Sequence, residues 1–215
     1  MGSRGVKSAS AKAKKSLPLH FDKKKKGHEI FSDEDATVEG IAKYLGVSVE
    51  EAKSFDSAIW SFTGDHFTAI RELQNGKIPE GFDKNSPFVK AMKEKGENLE
   101  KYIEKAPKWN GGETYRGINI SSEDLKKYQV GNIIDVNRGT ASWSSDVTVS
   151  KRFAKQGSAE KVVFKCPTQK NGTSIKHLSN YNHEDEVMVS KNSKYVITSI
   201  NRAKDGIIYV SVKEN

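Results

Sequence analysis

The spacing of apolar residues changes once along this 215-residue chain, near Trp109, and that change limits what it can fold into. Before it, apolar side chains recur every three or four residues, the spacing that gives a helix one apolar face. Val38–Leu45 reads as a helix ending at Gly46, after the polar run from Ser32 to Asp35. Ser48 opens a second over Val49–Phe55, with Glu50 and Glu51 in the first turn, where the helix dipole favours anions. Ala58, Trp60, Phe62, Phe67, Ile70 and Leu73 continue the pattern in two pieces, broken at Gly64 and stopped at Asn75-Gly76. Ser86-Pro87 begins a further helix running to Lys105, with Phe88, Met92, Leu99 and Ile103 on one side.

After Trp109 the period shortens to two and β-branched residues dominate. Strands are predicted at Thr114–Ile120, Ile133–Val136, Ala141–Ser144, Lys161–Phe164, Thr173–His177, Glu186–Val189, Tyr195–Ile200 and Gly206–Val212. Turn formers separate them, and one short helix, Val147–Phe153, interrupts the series. Helices followed by strands predict an α+β domain: a helical part over 28–108 against a largely antiparallel β-rich part over 109–215. No G-x-G-x-x-G or P-loop occurs, which argues against a doubly wound nucleotide fold.

The net charge of +8 is concentrated at one end. Met1–Gly27 holds nine of the 36 basic residues and one of the 28 acidic ones, so residues 28–215 carry 27 of each. A segment so rich in Lys, Ser, Ala and Gly cannot bury enough apolar surface to order itself, and a disordered basic tail is expected. It reads either as a solvated leader or as an arm that speeds encounter with nucleic acid, ribosomes or an acidic protein. The neutral body argues against a dedicated nucleic-acid-binding domain. Met1–Lys15 lacks the apolar run of a secretory signal and no stretch approaches bilayer length, so a cytoplasmic protein without membrane contact is expected. Cys166 is alone, and His177 and His183 lack ligand spacing, so no metal is expected and Cys166 reads as inert packing.

Three short motifs could carry chemistry. In Thr114-Tyr115-Arg116-Gly117, a strand arginine followed by glycine fixes a guanidinium where backbone can approach a ligand, and guanidinium suits bidentate phosphate contact. In Ser142-Trp143-Ser144, the two hydroxyls share one strand face and the indole takes the other. No Asp–His partnership marks either serine as a nucleophile. In Glu184-Asp185-Glu186, two carboxylates two residues apart project to one side, where each resists the other's ionisation. Taken singly, each has an ordinary reading: a surface ion pair, a serine-rich strand end, an acidic turn.

Their order is more telling. Arg-Gly, then Ser-x-Ser 26 residues on, then Glu-x-Glu, with Lys151-Arg152-Phe153-Ala154 closing a helix between, resembles the R-S-E class of mono-ADP-ribosyltransferases. The resemblance spans roughly Trp60 to Val212 and takes in the turn Gly111-Gly112-Glu113. The closing run from Glu186 to Ile200 is similar to the bacteriophage enzymes that modify host transcription and translation proteins. The family's Ser-Thr-Ser is Ser-Trp-Ser here, and Ser150 stands where the following helix usually has alanine.

This resemblance implies a β-sandwich catalytic core and NAD⁺ as substrate. It implies that Arg116 and Gly117 hold the dinucleotide, that Ser142 and Ser144 brace the ribose side, and that Phe153 sets its ring against nicotinamide. An amphipathic helix would bury Phe153 in any case. Glu186 would stabilise the cation formed as nicotinamide leaves. Glu184 would select the acceptor, and a carboxylate there implies arginine in a target protein, since guanidinium needs a base to take its proton. An aspartate or a nucleic-acid end stays open as acceptor. So do an NAD⁺ glycohydrolase, with water as acceptor, and a binding module acting through the basic tail.

Overall fold

The computed structural model describes residues 36–215, so the basic segment Met1–Gly27 lies outside the described residues. Four helices come first, in the regions their periodicity marks. Thr37 caps α1 (Val38–Leu45) through its side-chain oxygen, and Gly46 closes it in the left-handed conformation. Ser48 caps α2 (Val49–Thr63), which runs unbroken through the stretch expected as two segments. Gly64 then ends it before α3 (Phe67–Gln74). Ser86 and Pro87 open α4 (Pro87–Lys105). The apolar faces of these helices meet in one core around Phe55, Ile59, Ile70, Leu99 and Tyr102.

The second half supplies β1 (Thr114–Ile120), β2 (Ile133–Ile134), β3 (Ala141–Ser144), β4 (Glu160–Cys166), β5 (Gly172–Ser174), β6 (Glu186–Val189), β7 (Tyr195–Arg202) and β8 (Ile208–Glu214). Short helices α5 (Ser122–Leu125) and α6 (Val147–Ala154) intervene. α5 is absent from the sequence reading because three polar residues and one leucine under a Ser121 cap are too short to show a periodicity. β5 ends at Ser174 rather than at His177, and Ile175, Leu178 and Ser179 belong to a turn whose N–H groups bond back to Ile175. Cys166 is buried, and its thiol contacts the Thr168 carbonyl.

All eight strands form one ladder in the order β2-β7-β8-β4-β1-β3-β6-β5, antiparallel except where β4 meets β8. The link between β1 and β3 is narrow, a single pairing of Tyr115 with Ser144. The ladder folds over there. Trp143 on β3 and Tyr195 on β7 are four places apart in strand order, yet their rings lie 5.3 Å apart inside a shared core. β6 is buried along its whole length because it is covered on both sides. Val187 and Val189 enter the β core while Met188 packs into the helical one. Glu186, two residues from Met188, therefore looks toward the helical layer.

Helix α6 lies on β1 closely enough that Gly117 is required. A Cβ there would sit 1.7 Å from the Ser150 carbonyl oxygen and 2.8 Å from the Ala154 nitrogen. That is backbone against backbone, which no rotamer change relieves. Gly117→Ala should lower stability by about 3 kcal/mol, read as a shifted urea midpoint. An unchanged midpoint would refute the close approach.

Candidate active site

The fold-over leaves a cavity of about 810 Å³ between the β1–β3–β6 region, α6 and the α2–α3 turn. Arg116, Gly117, Ser142, Ser144, Phe153, Glu184 and Glu186 all line it, so residues up to 70 positions apart are brought to one cleft.

Glu186 is the most buried ionisable group there, 4% exposed. Its two carboxylate oxygens accept from different hydroxyls: Ser142 Oγ donates to Oε1, and Ser179 Oγ donates to Oε2 at 2.7 Å. Burial raises the carboxyl above its ordinary range; the two hydroxyls and Arg116 oppose this, and the negative charge of Glu184 adds to it. Ser179 has no sequence signature. It is placed by the helical layer, because Asn180 bonds the Trp60 carbonyl at 2.7 Å and the Thr63 hydroxyl at 3.0 Å, at the end of α2.

Arg116 reaches inward from β1, and its Nη1 donates to the Ser142 carbonyl at 2.6 Å. Its Nε is buried without a partner, a donor left for an acceptor that enters the cleft. Burial, then the positive charge of Arg71, lowers this guanidinium to about 9, so it is cationic at neutral pH. Arg71, on α3, is the second residue that sequence reading missed. It lines the same cavity, and its guanidinium donates to the carbonyls of Asn137 and Arg138. Its position in a polar helix turn looks like ordinary surface until the fold carries it beside Arg116. Two neighbouring guanidiniums in one cleft make a site for a multiply charged anion.

The remaining expected residues behave unequally. Ser142 and Ser144 do share a face, and Trp143 is buried opposite, its indole donating to Asn137 at 3.0 Å. The Ser144 hydroxyl, however, is committed to backbone: it donates to the Glu184 carbonyl at 2.7 Å and accepts from the Asp146 N–H at 2.9 Å. Gly117 lines the cavity and is required by the close approach of α6. Phe153 is 39% exposed at the cavity edge, so the helix does not bury it. It shares that edge with Phe67 and Tyr181, also exposed.

Glu184 and Glu186 are not simple strand neighbours. Glu184 ends a 3-10 turn (Asn182–Glu184), and Asp185 turns the chain through the left-handed region (φ 45°) before β6 begins. Both side chains still reach the cavity, Glu184 near its rim and paired with Arg152 of α6. Among the described residues no cluster of His, Cys, Asp or Glu could hold a metal ion, and no helix is long and apolar enough to cross a membrane.

No protein-family profile and no curated protein sequence matches the chain. Solved structures do. Vis toxin, an ADP-ribosyltransferase from Vibrio splendidus, aligns with a TM-score of 0.62 at 21% identity over 86% of this chain and 87% of its own. Exoenzyme S from Pseudomonas aeruginosa, solved with human 14-3-3 protein beta and bound to Carba-NAD, gives 0.58 at 15% identity over 86% and 89%. The Clostridium limosum C3 exoenzyme gives 0.57 at 16% over 86% and 95%. The protein thus has the α+β fold of the ADP-ribosyltransferases, as its sequence motifs imply.

A carboxyl whose pKa is raised by folding favours the protonated form. Its contribution to stability is present at low pH and is lost as pH rises through the native value. Glu186→Gln should therefore melt ~2–4 °C above the parent protein at pH 7. The gain should vanish below about pH 4, where the parent carboxyl is also neutral. Thermal denaturation of both proteins across that range is the check.

Proposed function

We propose that the protein transfers ADP-ribose from NAD⁺ to arginine side chains of other proteins and releases nicotinamide. The observation that carries this reading is Glu186, buried between two hydroxyls in a cleft that also holds paired arginines and a second carboxylate at its rim. In this reading Arg116 and Arg71 hold the diphosphate, and Phe153 sets its ring beside nicotinamide. The bond from ribose C1 to the nicotinamide nitrogen breaks, its electron pair leaving with nicotinamide, and the Glu186 carboxylate stabilises the positive charge left on the sugar. An acceptor guanidinium nitrogen then bonds C1, and Glu184 takes its proton.

The other structures lend support. Exoenzyme S has been solved with Carba-NAD. Vis has been solved with agmatine, aligning here at 20% identity over 86% of each chain with a TM-score of 0.63. Target proteins are the partners this reading requires, and host transcription or translation proteins are candidates through the bacteriophage resemblance.

The test follows labelled ADP-ribose from NAD⁺ onto protein. Glu186→Gln should abolish both transfer and NAD⁺ cleavage. Glu184→Gln should suppress transfer to arginine by about a hundredfold or more while sparing hydrolysis. Normal transfer by Glu184→Gln would overturn the acceptor assignment. Label that never becomes protein-bound, with nicotinamide still released, would favour the glycohydrolase. A separate expectation concerns Arg71: Arg71→Ala should raise the KM for NAD⁺ about tenfold or more, on the scale of one lost charge-assisted phosphate contact, in steady-state nicotinamide release.

A further inference from the structure

Glu184, the carboxylate assigned above to the acceptor, already carries a guanidinium of this chain. Arg152 Nη2 on the last turn of α6 donates to Glu184 Oε1. The two partners differ in surroundings: the Arg152 side chain is 50% exposed, and that of Glu184 is 16% exposed. Arg152 also lines the cavity, and its guanidinium carbon lies 5.4 Å from the centre of the Phe153 ring. We infer that Arg152 is a positioning residue that occupies, before an acceptor arrives, the place on Glu184 that the acceptor guanidinium takes, so that an incoming arginine must displace it. This rests on the arginine-transfer reading.

Three observations separate this role from a structural brace. The Glu184 backbone is fixed without Arg152: its carbonyl accepts from Ser144 Oγ at 2.7 Å, and its N–H donates to the Tyr181 carbonyl at 2.9 Å. The adjoining Asp185 is tied separately, to Lys176 at 2.8 Å. The Arg152 guanidinium is also half in solvent, so it recovers hydration on leaving and its net hold on Glu184 is small. It is therefore displaceable by a ligand of the same chemistry. Arg152 and an acceptor arginine present the same planar, cationic fork to a carboxylate, and only one can take the contact at Glu184 Oε1.

The consequence is a competition internal to the site. Arg152 keeps Glu184 paired while no target is present, and removing it frees the carboxylate for an external guanidinium. The fitting experiment measures ADP-ribose transfer from NAD⁺ to agmatine by the full chain, with Arg152→Ala and Arg152→Lys beside it. Circular dichroism establishes that both variants fold, as expected for a half-exposed side chain. Arg152→Ala should lower the KM for agmatine about three- to fivefold, the scale of one exposed ion pair, without reducing kcat or changing the KM for NAD⁺. Arg152→Lys should fall between, since an ammonium keeps the charge but loses the fork. An agmatine KM that is unchanged or raised, with transfer intact in the parent protein, overturns this inference alone. A raised KM for NAD⁺ does the same, by placing Arg152 on the dinucleotide. A parent protein that cleaves NAD⁺ but passes nothing to agmatine overturns the arginine reading and, with it, the inference.

Discussion

A carboxylate withdrawn almost completely from water is the constraint around which the rest of this structure is arranged. Glu186 could sit in a protein interior only if its oxygens found donors, and it has one for each: Ser142 from the neighbouring strand and Ser179 from a turn under the helical layer. One donor comes from the sheet and the other from a turn that Asn180 anchors to α2, so the carboxylate depends on both layers of the domain. The arrangement supports the anion without making it comfortable, since burial still raises its pKa. A group held that way responds strongly to any positive charge that appears next to it, because little water screens the interaction.

The same reasoning applies with opposite sign on the far wall. Burial loosens the hold of both guanidiniums on their protons, and a neighbouring cation adds to it: Arg71 for Arg116, and Arg138 for Arg71. Backbone carbonyls offset part of this: Ser142 for Arg116, Asn137 and Arg138 for Arg71. A dianionic ligand would offset the remainder. The cleft thus has a cationic wall and an anionic wall, linked by Ser142, whose carbonyl accepts from Arg116 and whose hydroxyl donates to Glu186. One strand residue sets the spacing between the two.

How much of this the sequence carries depends on how local each cause is. Helix caps at Ser48 and Ser86, and the parity of Ser142, Trp143 and Ser144, are settled within a few residues and are legible directly. So is the shift from helices to strands, and with it the fold class. Arg116, Ser142 and Glu186 are legible only as an ordered series matched to a family. Ser179 and Arg71 are not legible at all. Their roles exist because Asn180 anchors one turn to α2 and because Gln74 at the end of α3 bonds Thr140 just before β3, events that join residues more than 60 positions apart. At Phe153 helical spacing predicts burial, but α6 turns that position toward the open cleft, with the close contact to β1 made instead by the backbone at Ser150 and Ala154. Gly117 reads as room for a ligand, and the fold places a second demand on it, room for a helix.

Glu184 shows how a short departure from regular structure changes what a motif means. Had residues 184–186 continued as a strand, both carboxylates would project side by side, each opposing the other's ionisation. The left-handed turn at Asp185 instead stops the 3-10 turn at Glu184 and starts the strand at Glu186. One carboxylate is thereby buried under two hydroxyls and the other is left at the rim against an arginine. Two chemically identical groups acquire different accessibility and different partners, and so can take different steps of one reaction. The deep one meets only what the cleft encloses. The rim one meets whatever cation comes from outside, and among the described residues Arg152 reaches it.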